Sequence, residues 1–109
     1  MSIRSGHVIW QIERACELIA SLIARKKLSP KEEVEVNQML SDLTGLDRNL
    51  FADPNSVRIL PIMLGPLDDS QKALTAKFLQ IKNPDLYGDL AERLLGEVDW
   101  SKVHSKVQK

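Results

Sequence analysis

The sequence predicts an all-α fold, a compact bundle of five main helices with a short sixth at the C-terminal end. Three observations predict it. Apolar residues recur at steps of three and four through most of the 109 residues, the spacing that lines one face of a helix. Cap-and-proline pairs (Ser29-Pro30, Asp53-Pro54, Asn83-Pro84) and isolated glycines (Gly45, Gly65, Gly96) stand where such segments would start and stop. No segment combines period-two alternation with β-branched enrichment, so a strand would find no partner. A composition that is 43% hydrophobic and 28% charged suits one globular domain. Residues 1–109 are therefore read as a single unit, large enough to bury a core without metal or disulfide.

Helix one is expected from about Gly6 to Lys27. Val8, Ile12, Ala15, Ile19 and Leu22 fall at alternating steps of four and three, a helical seam. A second row, Ile9, Cys16, Ala20 and Ile23, widens the apolar arc to roughly half the circumference at about 100° per residue. Helix two opens at Ser29-Pro30-Lys31-Glu32, where a capping serine and a glutamate three residues on can satisfy each other's backbone donors. Val36, Met39, Leu40 and Leu43 form its buried stripe, Val34 lies off it, and Gly45 can end it in the left-handed conformation with Leu46 folding back.

The densest apolar stretch, "SVRILPIMLG" at residues 56–65, follows Asp53-Pro54 and runs to Gly65-Pro66. It reads as a third helix, apolar on every side and so surrounded by protein. Pro61 lacks an amide donor and crowds the carbonyl of Val57, which predicts a kink or two short helical pieces meeting there. Asp68 caps a fourth helix carrying Leu74, Phe78 and Ile81, with Leu79 and Ala76 on another side. Asn83-Pro84-Asp85 opens a fifth, in which Leu86, Leu90, Ala91 and Leu94 make a face before Gly96 ends it. Helix one, the proline-interrupted segment and this last hairpin are expected to share the core. Residues 99–109 can form an amphipathic turn or two, with Trp100, Val103 and Val107 on one side, inside a basic and partly flexible tail.

Charge and chemistry mostly exclude. Fifteen basic residues balance fifteen acidic ones, so the long-range field that draws proteins to nucleic acid is missing. Arg25-Lys26-Lys27 and the tail lysines Lys102, Lys106 and Lys109 read as local complements to helix ends. Glu13, Arg14 and Glu17 interrupt the longest apolar-rich stretch, which argues against a membrane span. A single cysteine and the lack of a leader-like start suggest a reducing cytoplasm. His7 and His104 are far apart and no CxxC or HxxxH spacing occurs, so no metal is expected. The adjacent acids Glu32-Glu33 and Asp68-Asp69 are explained by capping, and the glycines form no phosphate cradle. No catalytic residue and no cofactor follow from these patterns.

A few side chains call for a partner. Trp10 projects among Glu13, Arg14, Glu17 and Ser21, nearly opposite the Val8 seam, either folded over Arg14 or covered by the C-terminal segment, or else an anchor for another chain. Ile9, Cys16 and Ile23 widen helix one beyond what one small domain is expected to cover, and Trp100 can pin the tail or meet a partner. These five residues form the candidate interaction surface, and a homodimer through helix one is its simplest use.

"HVIWQIERACELIASLIARKK", the short helix ending in "LTGLDRNLF" and the pair "KALTAKFLQIKNPDLYGDLAERLL" together resemble the layout of small uncharacterised helical proteins of Gram-positive bacteria, some with tetratricopeptide-like hairpins. The resemblance implies a cytosolic, noncatalytic bacterial protein and supplies no functional residue. The 34-residue tetratricopeptide repeat itself is not found. The leading expectation is a protein-protein interaction module that can self-associate, with an unknown protein partner. The alternative is a small ligand-binding protein or enzyme with a cavity near Pro61, and nucleic-acid binding ranks third.

Overall fold

α1 (Ser2–Leu22) buries Ile12, Ala15, Ile19 and Leu22, the expected seam. The computed structural model describes the backbone of residues 2–24 and 27–103, and their side chains from residue 12 onward. The helix begins before Gly6 and stops well short of Lys27. Leu28 is buried and Ser29 is extended, so the chain must leave the helix axis to bring Leu28 back to the core. α2 (Pro30–Thr44) starts with the expected reciprocal cap: Glu32 N donates to Ser29 Oγ at 3.2 Å and Ser29 N to Glu32 Oε1 at 2.9 Å. It buries Val36, Met39, Leu40 and Leu43 and ends at Gly45, whose φ of 75° is the left-handed conformation that glycine adopts without steric cost.

The middle of the chain is where expectation and structure part. The sequence reading placed one helix between Asp53-Pro54 and Gly65, either kinked at Pro61 or divided there into two short pieces; the chain makes two pieces, a 3-10 helix (Pro54–Arg58) and α4 (Leu60–Leu64), preceded by a further short helix, α3 (Arg48–Ala52). Short side chains drive this. Asp47 Oδ1 accepts from Asn49 N at 2.9 Å and Asp53 Oδ1 from Asn55 N at 3.0 Å, so each acid opens its own turn. Pro61 then sits in the first turn of α4, where a missing donor costs nothing. The break falls at Ile59, just ahead of the proline, in keeping with two short pieces meeting. The expectation that protein surrounds this stretch fails: Leu60 and Leu64 are fully buried, but Ile62 is 81% exposed, and Ile59 and Met63 face solvent too. A five-residue helix lying on a core can bury only the one side that i and i+4 share.

α5 (Asp69–Lys82) is the central element, packed against α6, α2 and α1. Asp68 caps it with Gln71 in return, and Gln71 Nε2 also donates to the Leu43 carbonyl at 3.0 Å, joining the start of α5 to the end of α2. Ala73 to Ala76, Phe78 and Leu79 are all buried, more than the two faces expected. α6 (Pro84–Glu97) begins with Asn83 Oδ1 accepting from Leu86 N and buries Tyr87, Leu90, Ala91 and Leu94, with Leu86 half-buried. Gly96 does not end it; the helix runs on to Glu97 because Gly96 keeps a right-handed backbone. Tyr87 Oη donates to the Phe51 carbonyl at 3.4 Å, tying α6 to α3.

These helices enclose one apolar cluster that includes Ile12, Leu40, Phe51, Leu60, Leu74, Leu90 and Val103. Helix one, the proline-rich segment and the last hairpin therefore do share a core. The cover on α1 comes from α5 and α2, whereas the proline-rich segment packs on α3 and α6. A 3-10 turn, Trp100–Lys102, closes the described chain. Asp99 N donates to Asp69 Oδ1 at 2.9 Å and Val103 is buried, so the start of the basic segment is anchored. Val107 and the remaining tail lysines Lys106 and Lys109 lie outside the described residues.

Candidate interaction surface

α1 carries a recess along each of its edges. On one side Leu18, with Val34 and Met39 of α2, forms the apolar part of a groove of about 410 Å3, rimmed by Arg14, Glu35, Gln38 and Asp42. On the other side Ile19 and Ile23 meet Ile81, Lys77 and Gln80 of α5 around a notch of about 370 Å3. Two rows of apolar residues on α1 are the local cause. The seam row is buried against α5 and α2, and the residues just off it, Leu18 and Cys16, are left half-buried. Past the end of the helix Ile23 is 69% exposed and Val34 across the other groove is 61% exposed. Val34 off the α2 stripe was expected; a groove around it was not, because periodicity within α2 says nothing about where α1 passes.

The five residues singled out from sequence are not gathered into one patch among the described side chains. Ile23 lies beside Ile81 at the C-terminal end of α5, while Trp100 is next to Asp99, which bonds Asp69 at its N-terminal end. Twelve residues of α5 separate those ends, about 18 Å at 1.5 Å per residue. Trp100 is 41% exposed. Cys16 is half-buried against the core, as expected of a small apolar filler. The side chains of Trp10 and Ile9 lie outside the described residues. Of the four residues that share Trp10's projected face, Arg14, Glu17 and Ser21 are exposed and Glu13 is half-buried.

A third exposed apolar feature was missed by the sequence reading: the knuckle formed by Ile59, Ile62 and Met63. The Pro61 placement held the signal, since a proline in the first turn of a short helix predicts one buried side only. Beside it, Val57 and Pro61 with Leu86, Leu90, Asp89 and Arg93 of α6 line a groove of about 280 Å3. Its polar members are exposed, and Arg93 Nε already pairs with Glu97 at 3.7 Å.

Among the described residues no three His, Cys, Asp or Glu side chains are grouped to hold a metal ion, and no helix is long and apolar enough to cross a membrane. The chain matches no protein-family model, no curated protein and no solved structure.

Proposed function

We propose that this chain is a helical protein-protein interaction module that self-associates along α1. The observation that supports it is the flanking of α1 by two apolar recesses, with Ile23 and Val34 at their edges exposed at 69% and 61%. Burying such edges against a second chain removes apolar area from water at about 25 cal/mol per Å2, and a contact that uses the same helix on both copies closes about a two-fold axis. Standard interfaces bury about 800 Å2 per partner, so the α1 edges must act together with neighbouring surface on α2 or α5. Light scattering or sedimentation across a range of concentrations tests the reading. A concentration-dependent dimer that Ile23→Asp and Val34→Asp weaken, with far-UV circular dichroism unchanged, is the expected result. A chain that stays monomeric into the hundreds of micromolar, about the weakest affinity such a contact would have, refutes self-association.

A small-ligand site is the second reading, favoured by the groove at Pro61. It has less support, because a ligand pocket characteristically encloses its ligand and aims a few polar groups inward, and both charged side chains of this groove, Asp89 and Arg93, are exposed.

A further inference from the structure

Contacts made by α5 fix the directions of the two helices that form the α1–α2 groove. Gln71 bonds the Leu43 carbonyl, and Glu33 lines a recess with Lys82 and Tyr87, so α2 runs antiparallel to α5. Ile19 and Ile23 meet Lys77 and Ile81, so α1 and α5 finish at the same end. α1 is therefore antiparallel to α2, and Arg14 stands at the Asp42 end of the groove. Leu18 and Met39 occupy its middle. Val34 lies at the other end, about 12 Å from Asp42 along α2, with Glu35 beside it. Arg14, Glu35 and Asp42 are all exposed, and Gln38 Nε2 donates to Asp42 Oδ1 at 3.0 Å, holding that carboxylate on the rim.

Two copies brought groove to groove can be related by a two-fold axis that runs across the grooves or along them. The charges separate these arrangements. An axis across the grooves lays α2 on the partner's α2 and sets each Glu35 opposite the partner's Asp42, giving two like-charge contacts that oppose association. An axis along the grooves lays α1 on the partner's α2 instead. Each Arg14 then meets the partner's Asp42, while Glu35 faces the C-terminal end of the partner's α1, where residues 18–24 contain no acid. We propose that the chain pairs with a second copy about an axis along the α1–α2 groove, each Arg14 meeting the partner's Asp42 beside an apolar floor of Leu18, Val34 and Met39. This rests on the reading of the chain as a self-associating module and adds which face pairs and which charges set its register.

The test uses Arg14→Glu and Asp42→Arg in the full chain, both at exposed positions, so far-UV circular dichroism should be unchanged. Either variant alone places like charges at both contacts of its own dimer and should associate about tenfold more weakly than the parent at low salt. The double variant restores opposite charges and should associate like the parent. Mixed one to one, the two single variants regain two attractive contacts per heterodimer, and native mass spectrometry should show the heterodimer forming in preference to either homodimer. An ion pair confined to a single chain would give no such preference. A parent that dimerises while the variants mix statistically overturns the groove assignment and leaves self-association standing. So does an Asp42→Arg variant that dimerises more tightly, the sign of an axis across the grooves. A parent that sedimentation shows to be monomeric overturns both.

Discussion

Thr75 sits in the middle of α5, between Leu74 and Ala76, with no exposed surface, and its hydroxyl oxygen is buried without a hydrogen-bond partner among the described residues. A threonine in a helix ordinarily shares its hydroxyl with the carbonyl one turn back; here that bond is not made. Thr75→Val keeps the branched shape and the restricted χ1 and replaces the orphaned hydroxyl with a methyl group. Leaving a buried hydroxyl unpaired costs about 1–3 kcal/mol on mutational scales, and the new methyl must fit the space of the oxygen it replaces. A net stabilisation of about 1–2 kcal/mol is expected. For a domain of this size each kcal/mol moves the melting temperature by about 4–8 °C. Urea and thermal unfolding followed by far-UV circular dichroism measure it, with an unchanged m-value showing that only stability has altered. A variant less stable than the parent by more than about 0.5 kcal/mol would mean that the hydroxyl is satisfied in solution and the reasoning wrong.

Three further outcomes follow from the packing and the caps. Leu74→Ala and Leu90→Ala, at buried positions of the α5–α6 hairpin, should each cost about 2–5 kcal/mol in the same unfolding assay; losses in the surface range of about 0.5 kcal/mol would place those faces outward. Gly96→Ala discriminates between a helix interior and a helix terminator. The glycine is right-handed with open space where a Cβ would stand, so alanine should stabilise by about 0.5–1 kcal/mol, whereas a left-handed terminator would lose stability. Asp99, held below the usual carboxylate range by the Ser101 hydroxyl and amide, stabilises the C-terminal turn at pH values above its unfolded pKa. That contribution is lost as pH falls through the depressed folded value; an NMR titration of the Asp99 carboxyl that shows no depression would remove the basis for it.

Most of the helices were legible because their signals are local. The Ser29–Glu32 box, the Asp68 and Asn83 caps and the left-handed Gly45 each act within four residues, and the structure contains all of them. Gly96 misled because a glycine permits a left-handed turn without requiring one, and α6 continues through it to Glu97. Residues 54–64 misled in their surroundings rather than in their break. Asp53 and Pro61 each open a short helical piece, as the proline allowed, but pieces this short bury one side only, so Ile59, Ile62 and Met63 face solvent. Of the five candidate interaction residues, exposure of Ile23 fits the wide apolar arc read along helix one, while Trp100 at the far end of α5 could not be placed from its own neighbours in sequence.

By itself the sequence determined the helical class, the starts of three long helices and the stripe each would bury, since hydrogen bonds and side-chain periodicity within a few residues suffice for these. Tertiary structure alone decided that α5 lies at the centre, that Ile62 faces water while Leu60 does not, and that Lys82 shares a recess with Glu33 and Tyr87. Those outcomes depend on which helix crosses which, and such crossings are set by side chains far apart in the chain filling one common volume.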